Sequence, residues 1–477
     1  MKRILSLLLA ALMLTAALAG CNTTPVETPD TTDPASAADT TPAETTPAET
    51  EPPVVEKKPY EEAVVAEYDG YTVTLEEPIV VYQGQEGDDA WGHTNFPSVS
   101  YTKEGFLRVR WLYGEDKVGA VGNVSYHKIS MNGGKSWLPL NSAYSSPAPN
   151  MLMTNGKCWG GFVSAGTPTC KELLAQIPDS QKLNLESGHQ LILASDLEKY
   201  DEAIEKNLTN LRMREYDPET GTYETIECTL NWPYAAVAVF PKDIIYTISG
   251  WFGLSGSNVI LGSDGTLYTC IYSYGYDAEA ETLEEATTDY TKKGKYYTYV
   301  FASEDCGRTW DYRAQFYCTE DVEGWEKNEC FCEPKMIEMP DGSLFMLMRT
   351  GSDNPMYSTV SHDRGYTWSK PEEFNYCGVL PQLLGLDCGV TIATYGRPDL
   401  FVTVTNDPTG DTWEEHIPVP LAAKKGSAFQ KSCFYTSLLP IDENSAWFAY
   451  TDFKYPNKNG VGVKTVILRK ITVTFDE

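Results

Sequence analysis

The chain has 477 residues and a formal net charge of −30, with 37 Lys and Arg against 67 Asp and Glu. Such an acidic chain is a poor partner for nucleic acid, which needs a basic face, and it leaves an anionic ligand only a local cluster of arginines. Histidine is scarce, with five residues, and no CxxC pair occurs, so no zinc site, metal or cofactor is expected.

At the N-terminus, MKR supplies positive charge, ILSLLLAALMLTAALAG is an apolar run, and Cys21 follows. This is the layout of a secretory signal over residues 1–20. LAGC at Leu18–Cys21 resembles a bacterial lipobox. That resemblance implies cleavage before Cys21, lipidation of its thiol and a protein anchored on the extracellular side of the membrane. Residues 21–59 are rich in Pro, Thr and acids, with almost no large apolar residue before Val54. They cannot bury enough apolar surface to offset their ordering entropy and read as a disordered tether. The folded part spans 60–477 and is expected to be a monomer.

YTVTLEEPIVVYQG at Tyr71–Gly84 reads as strand material that closes on the C-terminal TVILRKITVTF. Strand-like segments then follow Gly-containing turns: EGFLRVRWLYG, DGTLYTCIYSYG, DGSLFMLMRTGS and CGVTIATYGRPDL, with ENSAWFAYTDF lacking the glycine. Their aromatic ends, Trp111, Tyr113, Tyr272 and Tyr274, either line a sugar-stacking mouth or fill the tops of the sheets. Leu197–Met213 is the best helical candidate, or else a decorated loop. A second pattern, S-x-D-x-G-x-T-W, recurs at Ser130–Trp137, Ser303–Trp310 and Ser361–Trp368, with a looser copy at Thr405–Trp413. Its Asp or Asn oxygen accepts turn N–H groups, its Gly takes a positive φ and its Trp packs under the next strand. Cys306/Cys318 and Cys377/Cys388 are possible neighbours across hairpins. Four-stranded sheets repeated radially make an all-β propeller, and six blades would take roughly 60–70 residues each.

In a propeller, equivalent strand ends point to one mouth. Gly342 to Arg349 is seven positions and Gly389 to Arg397 is eight, which sets the two arginines at nearly the same height on neighbouring blades. Guanidinium groups that converge need an anion or carboxylates between them. Glu333 opens the strand that pairs with the one ending in Arg349. The two form either a structural ion pair or two parts of a site.

The recurring S-x-D-x-G-x-T-W turns resemble the Asp-boxes of the sialidase superfamily, which lie at the periphery of a six-bladed propeller. Glu333, followed by MIEMPDG and by Arg349 sixteen positions on, is similar to that family's Glu and Arg. RPDLFVTVTND places Arg397 where the family has its next arginine, and FYTSLLP places Tyr435 where it has its nucleophilic tyrosine. The resemblance implies an exo-acting glycoside hydrolase for a terminal acidic sugar. Tyr435 would be its nucleophile, Glu333 the base, and Arg349 and Arg397 ligands of the substrate carboxylate. The chain departs from the pattern at HTNFPSV, where Asn95 stands in place of the first clamp arginine. The acid is open: Asp116 comes first, beside Glu115 and against Trp111, while His93 is an alternative acid or a hydroxyl ligand. The departures also admit a glycosidase or lyase for a uronic acid or neutral sugar, and a glycan-binding protein without catalysis.

Overall fold

The computed structural model describes residues 57–114, 123–139, 147–149, 151–163, 170–185, 188, 190–197, 199–200, 211–231, 236–239, 259–274, 282–286, 295–322, 324–351, 354–375, 377–424 and 435–476. The signal, Cys21 and the tether lie outside them, as do Glu115 and Asp116.

Turn chemistry cuts the apolar runs into hairpins. In MPDGSL, the Asp341 carboxylate accepts the Ser343 N–H at 2.8 Å, and Gly342 takes φ 89°. Only glycine adopts that conformation without strain. The strands Cys332–Glu338 and Leu344–Arg349 pair antiparallel across it and continue through Met356–Ser361 to Glu372–Asn375 as a four-stranded sheet. Val379–Gly385, Thr391–Gly396, Leu400–Thr405 and Ile417–Pro418 repeat the arrangement. His93–Tyr101, Leu107–Tyr113 and Val124–Ser130 form a three-stranded sheet.

Among the described residues there are six sheets, and the architecture is all-β. The largest joins Cys158–Val163, Leu211–Asp217, Thr222–Asn231, Thr309–Phe316, Tyr296–Ser303, Leu267–Tyr274 and Val259–Leu261. Its two halves meet through a short parallel contact, Thr229 opposite Thr309. Leu183–Asn184, Gln190–Leu193 and Ala236–Val239 make a small separate sheet. Leu211–Met213 corrects the helical reading: these residues are strand, paired with Cys228, Glu227 and Ile226. Leu211 and Met213 alternate inward and are fully buried, a period of two that outweighs their helix propensity.

The chain closes on itself. Tyr71–Leu75 pairs with the C-terminal strand Gly462–Phe475, which also carries Ile79–Gln83 and Ser445–Pro456. Arg469, fully buried, fixes this closure by donating to the carbonyls of Tyr60, Glu62 and Glu76 and to the Tyr450 hydroxyl at 2.7–3.0 Å.

The four Asp-box turns are closed by related hydrogen bonds, four positions on in three of them and five in the looser copy. Asp305 accepts the Thr309 N–H, Asp363 accepts Thr367, Asp407 accepts Thr412, and Asn132 accepts Ser136. Trp310, Trp368 and Trp413 each donate their indole N–H to the turn glycine carbonyl at 2.9–3.0 Å. Burial pushes the Asp305 and Asp407 carboxyls up, and their hydrogen bonds more than reverse it. The Thr367 hydroxyl holds Asp363 down. With folded values below the unfolded ones, the stability they add is complete above the ordinary carboxyl range and is lost as pH falls below about 4. An Asp305→Asn/Asp363→Asn variant should therefore lose less of its melting temperature between about pH 4 and pH 2 than the wild type does. Melting curves across that range check it.

Neither predicted cysteine pair forms. Among the described residues the disulfide is Cys318–Cys330, and Cys306, Cys377 and Cys388 are thiols. Both bridged residues are buried, where the chain passes from Thr309–Phe316 into Cys332–Glu338, and that passage brings their Cα atoms to 5.5 Å. Cys318→Ala should cost about 2–4 kcal/mol in urea unfolding.

Candidate functional site

The first strands of three sheets carry the same irregularity. Phe96–Pro97, Glu333–Pro334 and Leu380–Pro381 each stand with the proline eight positions before a turn glycine, Gly105, Gly342 and Gly389. Phe96, Glu333 and Leu380 all have positive φ, at 52°, 44° and 40°. At each the pairing register shifts, between Asn95 and Ser98, Cys332 and Lys335, and Val379 and Gln382. A residue before proline prefers extended backbone, so the left-handed region costs about 1–3 kcal/mol at each. Proline has no N–H, so the bulge orphans no donor at that position. Thr94 and Arg397 add φ of 52° and 72°, so five of the eight positive-φ non-glycine residues described belong to this one region.

The bulges turn side chains out of the strand alternation and toward one another. The Glu333 carboxylate accepts Arg349 Nη1 at 2.8 Å and the Leu380 N–H of the next hairpin at 2.9 Å. Arg349 lies opposite Cys332 and extends its other terminal nitrogen to Glu329 at 3.0 Å. Burial is the largest single influence and disfavours the Arg349 charge, but Glu333, Cys332, Glu329 and Tyr435 together outweigh it, so its proton affinity is raised. The guanidinium is fixed as a cation with Tyr435 in its field.

Tyr435 stands at the start of the strand Thr436–Asp442. It is buried and stacks on Phe96 with centroids 4.3 Å apart. Val379 and Phe453 complete its apolar cluster, bordered by Trp91 and Leu380. Arg397, buried, follows the strand Thr391–Gly396 and sets its guanidinium over the Trp91 ring at 5.5 Å, a cation–π contact. Glu333, Arg349, Arg397 and Tyr435, read together from the sequence, thus meet around one cluster of bulge residues.

Asn95 directly precedes the Phe96 bulge and is fully buried. Its Nδ2 donates to the Trp91 carbonyl at 3.5 Å, while its Oδ1 has no hydrogen-bond partner among the described residues. His93 lies on the same strand against Asp88. Trp111 is corrected: it is fully buried, stacks on Tyr82 at 4.6 Å and belongs to a core cluster, not to a mouth. Its place in the strand Leu107–Tyr113 turns it inward with Leu107 and Val109. Sequence reasoning missed Glu329, Asp88, Trp91 and the three bulge residues as a set. The recurring X-Pro eight positions before a turn glycine carried the last of these; no local signal marked Glu329 or Asp88.

A BNR repeat-like domain is matched over residues 251–455. No curated protein matches in sequence. A protein of unknown function from Dyadobacter fermentans is similar in structure at 15% identity, TM-score 0.51, over 84% of this chain and 99% of that one. The Trypanosoma rangeli sialidase gives 14% identity and TM-score 0.37 over 79% of this chain, which spans about half, 54%, of that enzyme. A Penicillium chrysogenum alpha-L-arabinanase gives 12% identity and TM-score 0.40, covering 83% and 98% of the two chains.

Proposed function

We propose that this sialidase-like BNR-repeat protein is an exo-acting glycoside hydrolase on a six-bladed propeller, with Tyr435 as nucleophile and Glu333 as its base. The observation that carries the reading is the strained convergence of Glu333, Arg349 and Arg397 on the Tyr435 cluster. A phenol with a reference pKa near 10 attacks poorly at neutral pH, and a neighbouring carboxylate that takes its proton makes it competent. Arg349 and Arg397 supply the positive charge for a carboxylate or for ring hydroxyls, and His93 and Asn95 supply polar contacts beside them. The signal and lipobox-like Cys21 would hold the domain outside the cell on a lipid anchor, facing glycans.

Within this reading, Asn95 favours a uronic acid or neutral sugar over sialic acid. An amide in place of a clamp arginine can hydrogen-bond a hydroxyl or a carboxylate but brings no charge. The loss of one positive charge weakens a clamp for a carboxylate more than it weakens contacts to neutral hydroxyls. The test is release of a fluorescent aglycone from aryl glycosides of sialic acid, uronic acids and neutral sugars by the purified protein. Release from any of these supports the hydrolase, and the responsive sugar decides between the substrate classes. Failure across the panel, together with tight glycan binding, would leave a binding protein.

A further inference from the structure

Asp88 and His93 meet just ahead of the Asn95–Phe96 bulge. His93 Nδ1 lies 2.9 Å from Asp88 Oδ1 and 3.1 Å from Oδ2. The imidazole also stacks on Tyr113, with centroids 3.8 Å apart and planes 21° from parallel. Tyr113 opposes His93 in register, and its hydroxyl hydrogen-bonds Asp88. Carboxylate and ring together hold the imidazole in one orientation. The Asp88 side chain is 15% exposed and that of His93 26%, so the pair is sheltered yet reachable from outside.

An ionised carboxylate only accepts, so Nδ1 keeps its proton and Nε2 becomes the atom that gains or loses one. The same short segment supplies Trp91 under Arg397 and Phe96 on Tyr435. His93 therefore stands two residues from one and three from the other, at the edge of the candidate site. Its charged and titratable surroundings are Asp88 and Tyr113, then Tyr82 and Tyr126 around Tyr113. Lys464 of the C-terminal strand feels Asp88 and Asp89, and Lys454 pairs with Asp89 at 3.3 Å.

We infer that Asp88 is a positioning residue that holds His93 as the general acid and base of the reaction, with Nε2 the working atom. The inference rests on the hydrolase reading above. In the first step the Tyr435 oxygen bonds to the anomeric carbon as the bond to the leaving oxygen breaks. The Tyr435 proton passes to Glu333, and the Nε2 proton passes to the leaving oxygen. In the second step water bonds to the anomeric carbon and gives a proton to Nε2. The Tyr435 oxygen departs and recovers its proton from Glu333, so the protein ends as it began.

The experiment compares a 4-nitrophenyl glycoside with the methyl glycoside of the same sugar, in the wild type and in Asp88→Asn, His93→Gln and Tyr435→Phe. Nitrophenolate leaves without a proton, and methoxide does not. Asp88→Asn and His93→Gln should lose roughly 10²–10³-fold on the methyl glycoside and under about tenfold on the nitrophenyl one. The alkaline limb of kcat/KM should shift in Asp88→Asn. Equal losses on both substrates, or none on the methyl glycoside, would overturn the dyad and return the acid to Asp116 or Glu115. Wild-type turnover in Tyr435→Phe would instead sink the hydrolase reading. A measurement without substrate decides the geometry if no sugar responds. The 15N shifts of His93, assigned by their loss in His93→Gln, should report the Nδ1–H tautomer of the neutral ring and change in Asp88→Asn. The Nε2–H tautomer would overturn the inference.

Discussion

Tyr435→Phe is expected to lower turnover of a responsive glycoside by roughly a thousandfold or more while the protein stays folded. The substitution removes one oxygen and keeps the ring, so the stack on Phe96 at 4.3 Å and the cluster with Val379 and Phe453 persist. Loss of activity then reports the hydroxyl and not the packing. Steady-state kinetics beside a melting curve check both halves. Unchanged kcat with an unchanged melting temperature would remove Tyr435 from the mechanism, whatever the arginines bind.

Arg349→Met should destabilise the protein by about 3–5 kcal/mol, the cost of leaving a buried carboxylate without its cation. The Glu333 side chain is 13% exposed and loses its 2.8 Å partner, whereas Glu329, at 53%, returns to water at little cost. Arg349→Met/Glu333→Gln should recover much of the loss, because the amide carries no charge to strand. Guanidinium unfolding of the two single variants and the double gives their coupling energy. Additive losses would mean that Arg349 acts through packing alone. Both variants are expected to lose activity, so the stability readout separates the two roles of this residue.

The Glu333–Arg349 relation was legible in the chain because a hairpin is a local object. One turn glycine and a period of two bring residues sixteen apart together at the open end of one hairpin. Tyr435 and Arg397 were legible only through their motif context, since nothing local says which hairpins become neighbours. Trp111 misled for a related reason. Its aromatic strand end looked like a mouth, and the Tyr82 ring that covers it comes from a strand some thirty positions earlier, a separation roughly beyond any local pattern.

By itself the sequence determined the hairpins, the four Asp-box turns and the closure of the N-terminal strand on the C-terminal one. The hairpins and turns follow from side-chain periodicity and turn chemistry that need no knowledge of distant segments, and the closure was read by matching two strand-like runs at the two ends of the folded part. Only the tertiary structure decided the Cys318–Cys330 bridge, the Asp88–His93 contact and the left-handed backbone at Phe96, Glu333 and Leu380. Local preference before a proline opposes that backbone, and the packing of neighbouring sheets overrides it. Contacts between separate hairpins set these features, and their energies are not written in any one of the segments they join.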